Sequence, residues 1–338
     1  MKLDWRGALG IVLSAALLAW VLSQIPLGQV WAVLRSSNLL LFAAAAFVAT
    51  ICVPIRAIRW RPILDPVAPR LPYRSLWRAS AIGMMVNNVV PARVGELARA
   101  YALSREEPTV PFSASLASLA VDRLFDAFVV LILTVIPMLL PSFPKGARIG
   151  DVSTTRVAIV GAILLAALTV VLYGIVYFPK WLIGAYEAFA RKVAPKLEEP
   201  GRNALIHFAA GLSVLRSPVR FTVVLFWAVL HWLCNGLAFW LGFLAVGIQV
   251  PFGAALFLQG VIAIGVAAPA APGFFGVFEF FGVLGLGLYG IPKAQATAWA
   301  IGYHLLSFAP ITLIGAWYFV RMGVHLKDVK DVKAVEAA

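Results

Sequence analysis

The chain has 338 residues, 62% of them hydrophobic, with a mean hydropathy of +0.91. Soluble domains are about 45–50% apolar, so these values exclude a soluble enzyme or binding module and require an integral membrane protein. Only 13% of residues are charged, yet the formal charge is +13; that excess fits loops facing anionic lipid, and no compact basic domain exists to bind nucleic acid.

Lys2 and Arg6 precede an apolar run, Gly7–Ile25, with no small-x-small cleavage site after it. It reads as a retained first span. The second span is Leu39–Ile58. Each has about twenty residues, enough for a hydrocarbon core of about 30 Å. Arg56, Arg59, Arg61, Arg70, Arg74 and Arg78 then stand against one acid, Asp65, with Trp60, Tyr73 and Trp77 interleaved. That mixture is expected at a head-group boundary. Cys52 and Cys234 both fall in apolar spans and read as packing residues, with no disulfide or metal role.

Ser80–Val90 is apolar but too short to cross, and it runs into N-N-V-V-P-A-R-V-G-E-L-A-R, Asn87 to Arg99. Pro91 removes a backbone donor and Gly95 loosens the helix, so the chain is predicted to break and return as a re-entrant hairpin. Irregular backbone and ionised groups survive at membrane depth only where protein or a water-filled cavity surrounds them. Span three, Ser113–Leu140, carries Asp122, Arg123 and Asp126, and span four is Thr155–Phe178. From Pro179 to Arg220 the pattern is amphipathic and basic, which predicts interfacial helices.

Span five is Phe221–Val246 and span six is Ala294–Val320. Between them a second break, A-P-A-A-P-G-F-F-G-V-F-E, runs from Ala268 to Glu279. It repeats the plan of the first: a proline, a glycine four residues on, and a glutamate close behind. Pro272, Gly273 and Gly276 are its predicted helix-breaking residues.

With the N-terminus cytoplasmic and both hairpins returning to the side they entered, twenty basic residues lie inside and five outside. This orientation makes the two hairpins enter from opposite sides. The expected fold is therefore all-α and polytopic: about six full spans plus two broken hairpins, arranged as an inverted repeat. Residues 39–140 form one half and 221–320 the other, within a single membrane domain. Broken helices meeting at the interface of inverted repeats are a transporter arrangement.

Arg93, Glu96, Arg99, Asp122, Arg123, Asp126 and Glu279 are three cations and four anions inside the membrane. Unpaired, each would cost roughly 2.5–3.5 kcal/mol, about 20 in all, more than a typical net stability of about 5–15 kcal/mol. They must pair or reach water. Arg123 and Asp126, one turn apart, read as an ion network with Asp122 that ties the first hairpin to span three. Arg93, beside the break, is placed to hold a phosphate through two parallel hydrogen bonds. Arg99 has two readings, a second phosphate ligand or a boundary residue. Glu279 is either a proton-coupling site or a partner for a hairpin arginine. His304, near Tyr303 and Ser307, is either a satisfied interior histidine or a proton relay. His231 and Asn235 are expected to hydrogen-bond between helices. Zinc-protease, nucleophile-elbow and P-loop patterns are all missing from the sequence. No cofactor is expected; a membrane glycosyltransferase would want acidic residues on an outer loop, and the first outer loop, Pro26–Asn38, has none and the second only Asp151.

Three motifs, Pro91–Arg99, Asp122–Asp126 and Ala271–Glu279, resemble in this order the flippase-like membrane family named for the transmembrane region of lysylphosphatidylglycerol synthase. The resemblance spans nearly the whole chain. It implies a lipid-translocating fold, with Arg93, Glu96, Arg99, Arg123, Asp126 and Glu279 at motif positions. Two positions depart from the family pattern. Phe274 stands where a second glycine is common, and His304 where the last span often has an arginine. The chain ends 18 residues past Val320, so the synthase's soluble aminoacyl-transfer chemistry is not expected here. The reading is a multi-pass transporter of a phospholipid, glycolipid or polyprenyl-linked lipid in the cytoplasmic membrane, with both termini inside. Expected partners are lipids with an anionic or phosphate-bearing head group, another copy of the chain, or a lipid-modifying enzyme. The alternatives are a non-transporting accessory of a lipid- or glycan-modifying enzyme and a membrane glycosyltransferase.

Overall fold

A computed structural model of the chain describes residues 27–90, 94–144, 152–193, 217–266 and 271–324, with isolated positions elsewhere. The first span, Gly7–Ile25, falls almost wholly outside the described residues, as do Pro91, Ala92 and Arg93 of the first break. The described chain is helical apart from a two-residue antiparallel ladder, Arg148 with Ser153 and Ile149 with Val152.

A short helix, α1 (Leu27–Arg35), leads into α2 (Leu39–Leu64). Asn38 starts α2 by accepting the Leu40 and Leu41 N–H groups at 3.0 and 3.1 Å, the usual service of an N-cap side chain. The helix runs to Leu64, past the boundary expected at Ile58. Arg56 and Arg59 are not at the head-group surface; both are buried inside the bundle, and Arg59 is 0% exposed.

The first hairpin consists of α3 (Tyr73–Val89) and α4 (Gly95–Glu106). α3 stops where Val90 turns extended (φ −110°, ψ 132°), and the Asn87 side chain accepts the Gly95 N–H at 2.8 Å across the break. The arms of the hairpin touch backbone to backbone. A Cβ on Gly83 would lie 2.8 Å from the Gly95 carbonyl and 2.8 Å from the Arg99 Cβ.

Next come α5 (Phe112–Met138), α6 (Thr154–Tyr177) and α7 (Pro179–Val193). The second half begins with α8 (Pro218–Ala245) and α9 (Phe252–Gly265). A single 3-10 turn, Pro272–Phe274, precedes α10 (Val277–Gly287), and α11 (Lys293–Arg321) closes the fold. At the second break Gly273, Phe274 and Gly276 all have positive φ (66°, 62° and 84°). Glycine takes that region freely, whereas Phe274 adopts it at a cost of about 1–2 kcal/mol.

Among the described residues, α2, α8 and α11 are long and apolar enough to cross a membrane. α5 has 27 residues, but its central Asp122, Arg123 and Asp126 set it apart. Side chains such as Phe47, Ile264, Leu313 and Val320 are 67–79% exposed, a surface suited to lipid rather than water.

Helix packing follows one rule. α2 lies against α8, α3 against α11, and α9 against α5. Exchanging α2 with α8, α3 with α9, α4 with α10 and α5 with α11 maps the α2–α8 contact onto itself and interchanges α3–α11 with α9–α5. It also interchanges α3–α4 with α9–α10, and α4–α5 with α10–α11. Two large cores result, one around Trp60, Leu76, Ile82 and Leu103, the other around Phe42, Phe239, Phe243 and Trp299.

Candidate functional site

The charges gather in two places, one behind each hairpin. In the first, α2 faces α5 with arginines three residues apart against aspartates four apart. Arg59 donates from Nε to Asp122 Oδ1 and from Nη1 to Asp126 Oδ1, both at 2.7 Å. Arg56 donates from Nε to Asp122 Oδ2 at 3.3 Å and approaches Asp126 at 3.6 Å and Glu96 at 3.7 Å. Arg123 pairs with Glu96 of the hairpin and with Asp126 at 3.2 Å. Trp232 of α8 gives its indole N–H to Asp126 at 2.9 Å. Asp126 therefore receives donors from three helices.

Arg99 closes the cluster. It stacks over Trp60, with Cζ 4.0 Å from the ring centroid, and reaches Asp122 from Nη1 at 3.4 Å. Its Nε and Nη2 are buried with no hydrogen-bond partner among the described residues. Trp60 is itself fixed by a 2.8 Å bond to Ser118. Among the described residues, four guanidinium groups stand against three carboxylates in this cluster, which is buried except for Arg123 and the partly buried Glu96. The sequence reading found Glu96, Arg99, Asp122, Arg123 and Asp126 but assigned Arg56 and Arg59 to the surface. The usable signal was their spacing: two arginines one helical turn apart match two aspartates one turn apart. Arg61 broke that signal, because it extends the run of arginines yet is exposed.

In the second place, Glu279 accepts the Gly276 N–H at 2.6 Å and pairs with His304 Nδ1 at 2.7 Å. Gly276 and Glu279 form a capping pair that starts α10 immediately after the break. Phe275 stacks on the His304 ring at 4.5 Å, and Phe278 lies 4.4 Å away. Among the described residues, Glu279 thus takes its partners from α11 and the break itself, with no arginine of the first hairpin.

A cavity of about 530 Å³ lies between the two clusters, within the range of about 300–1,000 Å³ usual for ligand sites. Arg123 and Asp126 line one side and His304 and Ser307 another, with the amides of Asn88, Asn235 and Gln259 between them. Phe274, Phe278, Trp232 and Tyr303 supply aromatic walls. Glu96, Arg99 and Glu279 do not line it; Glu96 reaches it through Arg123, and Glu279 through His304. Arg93, the expected phosphate ligand, lies outside the described residues. Gly273 lines the cavity, whereas Gly95 is packed between the hairpin arms. His231 and Asn235 bond to other helices, His231 Nδ1 to the Cys52 carbonyl at 3.0 Å and Asn235 to Gln259 at 3.2 Å. Among the described residues no three His, Cys, Asp or Glu side chains are grouped so as to hold a metal ion.

The family model described as the lysylphosphatidylglycerol synthase TM region matches residues 7–315. Glycosyltransferase AglD of Haloferax volcanii is 36% identical over 117 residues, 35% of this chain and 19% of AglD. A UPF0104 membrane protein of Methanothermobacter thermautotrophicus is 25% identical over 327 residues, covering 92% of this chain and 94% of that protein. UPF0104 membrane protein MJ1078 of Methanocaldococcus jannaschii is 25% identical over 255 residues, 74% of this chain and all of that protein. The chain therefore spans about a fifth of AglD's length and nearly all of the two UPF0104 proteins.

Proposed function

Because this chain belongs to the family of the lysylphosphatidylglycerol synthase transmembrane region, we propose that it moves a lipid with a phosphate-bearing head group across the cytoplasmic membrane. The observation that carries this reading is the excess of guanidinium groups over carboxylates, among the described residues, in a cluster whose Arg123 and Asp126 face the cavity. An uncompensated charge at membrane depth is costly, and an anionic head group in the cavity offsets it. Guanidinium groups bind phosphate through paired hydrogen bonds. The amides of Asn88, Asn235 and Gln259 suit the hydroxyls or glycerol of a head group, while the tails stay in lipid between the two halves. Glu279 and His304, opposite the cations, form the candidate proton site.

The transport reading takes residues 39–140 and 221–320 as inverted repeats around six full spans. What supports it is the exchange relation among the helix contacts and the distribution of charge. Once Arg56 and Arg59 are counted as buried, the twenty inside residues become eighteen, still against five outside. Both termini then face the cytoplasm.

Catalysis is not part of the proposal. Asp122 and Asp126 have their oxygens committed to arginines and to Trp232, which leaves them poor general bases. The runner-up is membership of a lipid- or glycan-modifying machinery, as accessory or glycosyltransferase, and the partial likeness to AglD favours it. Purified protein in vesicles separates the readings. Faster translocation of labelled lipid than in empty vesicles supports transport, and turnover of an activated sugar donor without translocation overturns it.

A further inference from the structure

A second concave site lies away from the central cavity, between the start of α3 and the end of α11. Arg74, Trp77 and Arg78 from α3 and Trp317, Tyr318 and Arg321 from α11 surround about 430 Å³. The aromatic part is built rigidly: Trp77 donates to the Tyr318 hydroxyl at 3.2 Å, and the two rings meet edge to face at 6.4 Å. The cations are arranged around it. Arg78 is held by Glu106 at 3.2 Å and by the Arg74 carbonyl at 3.3 Å. Arg321 lies over Trp317, 5.0 Å from its centroid. Among the described residues, no carboxylate lies within ion-pair distance of Arg74 or Arg321, and none lines the cleft.

From this we propose that the cleft binds the phosphate of an anionic phospholipid at the membrane surface. Two guanidinium groups without carboxylate partners, a third already oriented, and tryptophan and tyrosine at head-group level match a phosphate diester whose glycerol and upper chain rest on rings. The cleft is separate from the transport cavity. Gly315 packs so closely on the Ala81 carbonyl that a Cβ has no room, and this crossing of α3 and α11 stands between the two sites. Met84, Asn88, Ser307 and Ile311 line the cavity on its far side. The bound lipid would clamp helices from the two halves together. The corresponding crossing of α5 and α9 is closed instead by Phe143, Phe257 and Tyr289, with centroids 5.2 and 5.7 Å apart, so the clamp belongs to one membrane face. The assignment does not rest on the transport reading.

The test is the thermal unfolding of purified, delipidated protein in detergent, titrated with phosphatidylglycerol, phosphatidylcholine or inorganic phosphate. Phosphatidylglycerol is expected to raise the melting temperature of the parent and of the cavity variant Arg123→Gln. In Arg74→Gln/Arg321→Gln the half-saturating lipid concentration is expected to rise about tenfold or more. Should the double variant be too unstable to purify, Arg74→Lys/Arg321→Lys, which keeps charge but loses both forks, is expected to bind more weakly than the parent. An equal response to phosphatidylcholine overturns the proposal. So does a lipid shift that survives in the double variants but disappears in Arg123→Gln. Inorganic phosphate that stabilises the parent as fully as the lipid, through the same two arginines, overturns the lipid in favour of the free anion.

Discussion

Arg59 has carboxylates against both of its edges and no exposed surface, whereas Arg123 holds two carboxylates while 44% of its side chain stays accessible. The same residue type therefore carries different weight at the two positions. Arg59→Leu leaves two buried aspartates without their principal cation, and removing one partner of a buried pair costs about 3–5 kcal/mol. Arg123→Gln strands less: Asp126 keeps Arg59, Glu96 keeps Arg56 at 3.7 Å, and the exposed pair contributes about 1 kcal/mol or less. Thermal unfolding in detergent should rank Arg59→Leu far below Arg123→Gln. Equal melting of the two would remove Arg59 from the centre of the network. Residue types inside the membrane were legible in the sequence because a charge there needs a reason. Their partners were not: Arg56 and Arg59 lie on the margin of an apolar run, where one-dimensional reading treats any arginine as a surface anchor.

Each hairpin element is made by a break of different construction. In the first, Asn87 caps the returning helix and Gly83 meets Gly95 across the arms. In the second, the positive-φ residues Gly273, Phe274 and Gly276, together with Glu279, do the work. Gly83→Ala would press a methyl group on the Gly95 carbonyl and the Arg99 stem, both at 2.8 Å. Overpacking of this kind costs about 1–3 kcal/mol, and here it also displaces Arg99 from Trp60. Gly184→Ala, where nothing lies within 4 Å of the added Cβ, is the matched control and should melt like the parent. The proline–glycine punctuation announced both breaks. Phe274 occupies a left-handed position where glycine is the natural choice, and the only signal for it was the second glycine common at that position in the family it resembles; Phe274 lines the cavity.

For the whole molecule, the sequence suggested two similar halves through the recurrence of a broken apolar segment near a glutamate. The contacts between helices give that suggestion a physical form, because each hairpin packs against the last helix of the other half. The proposed opposite insertion of the halves makes a prediction independent of transport. In a background lacking Cys52 and Cys234, Gln249→Cys should react with an impermeant thiol reagent applied from outside. Pro69→Cys and Glu199→Cys should react only after the membrane is opened; all three positions are exposed. Labelling at Glu199→Cys from outside would break the inverted arrangement.

What sequence could not supply at this scale is the cavity, which needs α2, α3, α5, α8, α9, α10 and α11 brought together from both halves. Arg123 on its wall carries the central claim, that a phosphate-bearing head group crosses there. Translocation of a labelled anionic lipid in proteoliposomes, with the parent, Arg123→Lys, Arg123→Gln and the surface control Arg61→Gln, tests it directly. The parent and Arg61→Gln should move lipid alike and well above empty vesicles. Arg123→Lys, with charge but no fork, should be slower, and Arg123→Gln slower still, about tenfold or more for the loss of a charge-assisted bidentate contact. Translocation by Arg123→Gln at the parental rate, in protein that melts normally, would contradict the assignment of the cavity as the head-group path.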